Sequence, residues 1–290
     1  MQTIRELFNR LTGALPHPVE SEVVEVAAAT DSPENDRVGW VSPDYVNSRH
    51  VSLDLNQMLS NCVVAYQGYS PEMEQYRILR TRILHRTNNS GGGKIVMVTS
   101  SIPGEGKSLT SINLALTFAK DYNHSVLLLD CDLKRQSIHK ILGFDSDRGI
   151  AENLLYGCPL ADLIVWPGVE KLTIISGGHK VAASSELIGS PNMRHLISEL
   201  RDRYPDRYVF LDAPPVLAGA DAMALAPLVD HILYVVRARS TPLPEIRKSL
   251  NFLPKEKILG LIFNRQPAGQ IIPYYHGYLG PPDKGSAAKR

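Results

Sequence analysis

Six runs of apolar residues, separated by helical patterns, restrict what this chain can fold into. The runs are 94–99 (KIVMVT), 125–130 (SVLLLD), 172–176 (LTIIS), 207–212 (RYVFLD), 231–237 (HILYVVR) and 258–263 (ILGLIF). Most are continuously apolar rather than alternating. A strand that is apolar on both faces must be covered on both faces, which is the condition of a parallel sheet between two helix layers. Helical patterns over 107–121, 191–204, 219–228 and 244–253 supply those layers. The alternation predicts a doubly wound, mostly parallel α/β sheet with right-handed crossovers. In such sheets ligands bind at the carboxyl ends of the strands.

The flanks have a different character. Ile4, Leu7, Phe8, Leu11 and Leu15 form an amphipathic stripe over residues 4–15, suited to docking on the chain itself, on a partner or on a membrane surface. Residues 16–50 are rich in Pro, Ser, Asp, Glu and Asn and read as a mobile linker. A helix is expected over 71–87, with Pro71 in its first turn. The division expected is therefore 1–70 as an N-terminal helix and linker region, 71–266 as the catalytic domain, and 267–290 as a flexible tail containing tyrosines.

Composition excludes several classes. With 43% hydrophobic and 21% charged residues the chain is globular. A net charge of +1 gives no case for nucleic-acid binding. Cys62, Cys131 and Cys158 have no metal-ligand spacing and fit a reducing compartment. No apolar run reaches the ~18 residues of a membrane span, and 225–236 carries Asp230 and His231 inside it. The first residues alternate charged and apolar side chains, unlike a secretory signal. The expected location is cytoplasmic, with any membrane contact made through a partner or a surface helix.

Between the first run and the first helix lies SSIPGEGKS, residues 100–108. Gly106, Lys107 and Ser108 fit the end of the phosphate-loop pattern G-x-x-x-x-G-K-[ST], while Ser101 stands where the first glycine would be. A strand, a glycine-rich loop and a helix in this order let the backbone N–H groups of Gly104, Glu105, Gly106, Lys107 and Ser108 point at phosphate oxygens. Leu109 extends the nucleotide-binding stretch. Lys107 would neutralise the β- and γ-phosphates, and the Ser108 hydroxyl would ligate Mg²⁺. Two further strands end in carboxylates: Asp130 and Asp132 after one, Asp212 after the other. At the carboxyl edge of a parallel sheet these converge on the loop, where they can hold a metal, its waters and the proton of an attacking hydroxyl.

These motifs together resemble the bacterial tyrosine kinases of exopolysaccharide systems. The resemblance covers residues 71–266 and includes Glu74-x-x-Arg77-x-x-Arg80, similar to that family's subunit-contact motif, and Glu186-Leu187-Ile188. The layout is similar to the tyrosine autokinases associated with exosortase-type export. The resemblance implies a P-loop fold using ATP and Mg²⁺, with Lys107, Asp130, Asp132 and Asp212 catalytic and Ser108, Asp130 and Asp212 at the metal. It does not say which of Asp130 and Asp132 acts as the base. It implies that Asn264 contacts adenine and that Tyr274, Tyr275 and Tyr278 accept phosphate from a neighbouring subunit in a homo-oligomer such as a ring. A membrane-embedded polysaccharide chain-length or export protein is the implied activator. Lys134 stands where the family usually has Arg. The alternative is a MinD- or ParA-like ATPase that positions cargo. Its signature lysine would fall at Ile102, and the following glycine at Pro103, which favours the kinase branch. A third reading is a regulator that uses nucleotide without catalysis, against which the full set of Lys107, Ser108 and three aspartates argues.

Overall fold

The structure is a computed structural model, and it describes residues 48–66, 70–203 and 206–266. In chain order its main elements are β1 (Arg49–His50), α1 (Leu55–Ser60), α2 (Pro71–Asn89), β2 (Ile95–Ser100), α3 (Lys107–Ala119), β3 (Ser125–Asp130), α4 (Ile138–Leu142) and α5 (Ile150–Tyr156). They continue with α6 (Leu160–Leu163), β4 (Val165–Trp166), β5 (Leu172–Ile175), α7 (Ser184–Ile188), α8 (Pro191–Arg203), β6 (Arg207–Asp212), α9 (Asp221–Leu225), β7 (His231–Arg237), α10 (Leu243–Leu250) and β8 (Ile258–Asn264).

The strands form one 8-stranded sheet in the order β1-β4-β5-β3-β6-β2-β7-β8. Its described pairs are parallel except β4 with β5. The central strands are buried on both faces, as their continuous apolar runs demand. Ile95, Met97, Leu127, Leu129, Val209 and Leu211 face one layer, which contains Met193, Leu196, Ile197 and Leu200 of α8. Val96, Val98, Val126, Leu128, Tyr208 and Phe210 face the other, built on Ile112, Leu116 and Phe118 of α3. Removing the side chain of one such leucine costs about 2–5 kcal/mol.

The helix boundaries have local causes. At α2 the Ser70 hydroxyl accepts from the Met73 N–H at 3.1 Å, Pro71 sits at the first helical position, and Glu72 and Glu74 lie in the first turn. Each suits the positive N-terminal end. The helix expected over 219–228 is only α9 followed by a 3₁₀ turn, Ala226–Leu228. Pro227 has no N–H for a continuing α-helix.

One boundary differs from expectation. Residues 48–66, assigned to the linker region from sequence, are packed into the body. Arg49 and His50 pair with Val165 and Trp166 of β4. The Asp54 carboxylate caps α1 by accepting from the Gln57 N–H at 3.0 Å. Met58, Val63 and Ala65 are buried in the α3-side core. The Ala65 N–H donates to Asn113 Oδ1 at 2.9 Å, giving a buried polar group on α3 its partner. The packed body therefore begins before residue 71. Residues 4–15, most of the 16–50 segment, and Tyr274, Tyr275 and Tyr278 lie outside the described residues.

Candidate active site

β2 ends beside β6 and β7, and loop 101–106 turns the chain into α3 at the carboxyl edge of the sheet. Gly104 and Gly106 make that turn with φ of +85° and +95°, a region that side chains disfavour. A Cβ on Gly106 would also meet Asn264 Nδ2 at 1.9 Å. Gly106 is the N-cap of α3 and supplies no side-chain acceptor, so the N–H groups of the first turn stay available to an anion.

Lys107 reaches back over this helix end. Its Nζ lies 3.0 Å from Asp132 Oδ2, 3.5 Å from Asp212 Oδ1 and 3.3 Å from Ser108 Oγ. Burial works against its charge, but Asp212 and Asp132 outweigh burial and its pKa is raised. The register of the sheet brings the acids together, because Asp130 and Asp212 are directly paired on neighbouring parallel strands. Burial and then the Asp212 charge push Asp130 up to about 7. Burial also raises Asp212, opposed by Lys107.

The three aspartates are not equivalent. Asp130 Oδ2 accepts from the N–H groups of Ser137 and Ile138 at 2.9 and 3.1 Å, and its Oδ1 from that of Asp132 at 3.2 Å. Both of its oxygens thus hold the start of α4 and the turn after β3. Asp132 faces the cleft. Asp212 accepts at Oδ1 from Ser111 Oγ at 3.4 Å, while its buried Oδ2 makes no hydrogen bond among the described residues. A buried carboxylate oxygen without a donor is costly and fits a cation or a cation-bound water. Among the described residues no group of three or more His, Cys, Asp and Glu could hold a metal ion. Mg²⁺ keeps several waters and takes substrate phosphate oxygens besides one or two protein carboxylates. The residues present fit Mg²⁺ at Asp212 and Ser108.

Around Lys107 the cleft has a volume of about 500 Å³ and is lined by Gly104, Gly106, Ser108, Leu109, Asp132 and, from β6 onward, Pro214 and Pro215. The Glu105 side chain does not line it; it is turned into the protein and only 1% exposed. Asn264 sits behind the loop, donating from Nδ2 to the Glu105 carbonyl at 2.9 Å, and lines a neighbouring groove with Tyr76 and Leu109. On α2, Glu74 pairs with Arg77 at 3.2 Å, and Arg80 donates to the Thr117 carbonyl of α3 at 2.8 Å. The Arg80 contact lies within the chain.

Two features carry no signal in the sequence taken alone. Lys134 pairs with Asp221 at 2.9 Å, and Asp221 also accepts from Ser184 Oγ at 2.6 Å. Arg265, in the left-handed region at φ +57°, brings its side chain to the cleft from beyond β8.

Comparison with known proteins places the chain among relatives. Residues 93–252 match the family model described as AAA domain. The tyrosine-protein kinase YwqD of Bacillus subtilis is 32% identical over 230 residues, covering 79% of this chain and 94% of that protein. The succinoglycan biosynthesis transport protein ExoP of Rhizobium meliloti is 30% identical over 192 residues, covering 62% of this chain but 23% of that longer protein. The crystal structure of the chimerical protein CapA2B2 superposes with a TM-score of 0.66 at 28% identity, covering 74% of this chain and 93% of that one. With its phosphate loop and strand-end aspartates on the sheet these relatives predict, and 32% identity across nearly all of one such kinase, this chain belongs to the bacterial tyrosine-protein kinase family of P-loop ATPases.

Proposed function

We propose that the protein is an ATP- and Mg²⁺-dependent protein-tyrosine autokinase that regulates the synthesis or export of an extracellular polysaccharide. The observation that carries this reading is Lys107, uncapped helix end at its back, held between Asp132 and Asp212 beside an Asp212 oxygen that lacks a donor among the described residues. The site has charge and backbone N–H groups in excess of its internal needs, as phosphoryl transfer requires.

On this reading the loop N–H groups and Lys107 bind the β- and γ-phosphates of ATP. Lys107 must leave its aspartates to do so, which frees Oδ2 of Asp132 in the cleft, while Oδ1 still accepts from the Arg135 N–H at 3.0 Å. Mg²⁺, held through Ser108 and Asp212, supplies further neutralisation of phosphate charge. The tyrosine oxygen bonds to the γ-phosphorus, the bond from that phosphorus to the β–γ bridging oxygen breaks, and ADP departs. The tyrosine proton passes to a carboxylate. We assign that role to Asp132, because the oxygens of Asp130 are taken up by backbone N–H groups. Asp130 then acts by fixing the turn that presents Asp132.

The acceptors in this reading are Tyr274, Tyr275 and Tyr278 of a neighbouring subunit, with Glu74, Arg77 and Arg80 at the subunit contact. The partner is a membrane-embedded chain-length or export protein. Among the described residues no helix is long and apolar enough to cross a membrane, which is compatible with a partner providing the membrane contact. The name of ExoP supports the polysaccharide role. Mass spectrometry of the purified protein tests the whole reading. Phosphotyrosine is expected in the tail of the wild type, absent from Lys107→Met and strongly reduced when Tyr274, Tyr275 and Tyr278 are all changed to Phe. Unchanged phosphotyrosine in Lys107→Met would overturn it, and ATP hydrolysis without phosphotyrosine would favour the MinD- or ParA-like alternative.

A further inference from the structure

The unusual serine of the phosphate loop has partners. Ser101 is fully buried, and its hydroxyl lies 2.6 Å from that of Tyr234 on β7. The Tyr234 hydroxyl in turn bonds Ser249 of α10, which is 3.4 Å from Ser101. A glycine at 101 could not make this link. Four residues on, Glu105 is buried as well. Its Oε2 accepts from the Ile102 N–H at 2.8 Å. Its Oε1 accepts from the Arg237 N–H at 3.2 Å and from the Thr241 hydroxyl. Both ends of the loop are therefore tied, from the side away from the cleft, to the same unit: the end of β7, the turn after it, and α10.

We propose that Glu105 and Ser101 are positioning residues, forming with Thr241, Tyr234 and Ser249 a rear brace that holds the phosphate loop in its nucleotide-receiving shape before nucleotide arrives. This rests on the reading of the cleft as an ATP site. The loop needs bracing because several N–H dipoles converge on one point and two of its residues hold left-handed backbone. Those conformations are poorly populated by a free chain, so without the brace, ordering the loop would be charged against binding. A carboxylate suits the task, since one group accepts from three donors on two different segments. The bracing side chains do not line the cleft, so loss of their hydrogen bonds should weaken nucleotide binding and leave the chemical step at saturating ATP close to normal.

The test uses the full chain with three variants: Glu105→Gln, which turns one acceptor into a donor facing donors; Thr241→Val, which deletes one hydroxyl at similar size; and Tyr234→Phe, which deletes the central hydroxyl. Calorimetry with Mg²⁺ and ADP, hydrogen exchange of the amides of residues 102–106 in the free protein, and urea unfolding are the measurements. For Thr241→Val and Tyr234→Phe the dissociation constant for ADP should rise about threefold to tenfold, the scale of one hydrogen bond, with faster exchange in the loop. For Glu105→Gln the rise should be larger. KM for ATP should follow the same order, while kcat of Thr241→Val and Tyr234→Phe stays within about threefold, and Thr241→Ser should restore wild-type binding. Should Glu105→Gln fail to fold, the other two variants decide. Wild-type ADP binding and loop exchange in Thr241→Val and Tyr234→Phe would overturn the brace, as would a loss of urea stability with no change at the loop. Neither readout needs phosphoryl transfer. A wild type that binds ADP yet forms no phosphotyrosine would sink the kinase reading and leave the brace standing, whereas a wild type that binds no ADP would overturn both.

Discussion

Two carboxylates are buried near the carboxyl edge of the same sheet, and they are treated in opposite ways. Glu152, in the first turn of α5, accepts from the Gly149 N–H at 2.6 Å, the His179 N–H at 3.1 Å and His179 Nδ1 at 2.7 Å. Burial raises its pKa, but these hydrogen bonds outweigh burial and the net shift is downward. The backbone has been shaped to the carboxylate: a Cβ on Gly178, whose φ is +80°, would lie 2.0 Å from Glu152 Oε2. Asp212, at the end of β6, has a weak donor and a shared lysine on one oxygen and, among the described residues, no donor on the other. Its net shift is upward. Glu152 is a finished structural joint. Asp212 is left incomplete by the fold, which is the expected condition of a group whose partner is a ligand.

The sharpest way to break that contrast is to neutralise each carboxylate in turn. Asp212→Asn should lower phosphotyrosine formation by about a hundredfold or more, while the urea midpoint of the nucleotide-free protein holds or rises, because a poorly solvated charge is removed. A variant that unfolds, or that keeps wild-type turnover, would make Asp212 another structural joint. Glu152→Ala should do the reverse. It leaves the Gly149 and His179 donors without their acceptor, and should cost about 2–3 kcal/mol of unfolding free energy with KM for ATP unchanged. A shifted KM at unchanged stability would move Glu152 into the site.

The pH dependence of stability sharpens the comparison further. Asp130 has a folded value of about 7 against an ordinary 3.8, so the folded state holds its proton more tightly. Its stabilising contribution is complete below the ordinary value and is lost as pH rises through 7. The slope should be at most about 1.4 kcal/mol per pH unit. Glu152 has a depressed folded value. Its contribution is present above its ordinary value of 4.5 and is lost as pH falls through the folded one. Urea titrations without metal or nucleotide should therefore show stability falling from about pH 5 to pH 7, and Asp130→Asn should flatten that decline. A steeper decline in Asp130→Asn would assign the titration to another group.

The smallest effect is expected at a half-buried pair on one helix. Arg77 and Glu74 are 3.2 Å apart one helical turn from each other, and Arg77→Ala should change unfolding free energy by less than about 1 kcal/mol. If the pair serves a subunit contact, light scattering should nevertheless show a lower mass in that variant. Equal mass would confine the pair to the surface of a single chain. Arg80 should behave differently, since its bond to the Thr117 carbonyl couples α2 to α3.

The strands and the site were legible to different depths. The continuous apolar runs located the six long strands to within a residue at most ends, because burial on both faces leaves no polar position to disguise them. The phosphate loop and the three aspartates could be placed from sequence because each lies at or just beyond the end of a strand. The strands β1 and β4, two residues each, were not readable, since a pair of residues has no periodicity. Nor was the inclusion of residues 48–66 in the body, whose apolar residues are too scattered to form a pattern until α3 is present to receive them.

By itself, then, the sequence determined the parallel sheet, the turn of the phosphate loop and the clustering of charge at one edge, all set by burial period and local backbone sterics over a few neighbouring residues. Only the tertiary structure decided what each charge does. Asp130 and Asp132 are two residues apart, yet one caps α4 and the other faces the cleft. Ser101 meets Tyr234, Lys134 meets Asp221, and Asp130 is set against Asp212 by strand register. Such pairings join segments roughly 80 to 130 residues apart. Their geometry follows from the order in which the strands lie side by side, which no local pattern records.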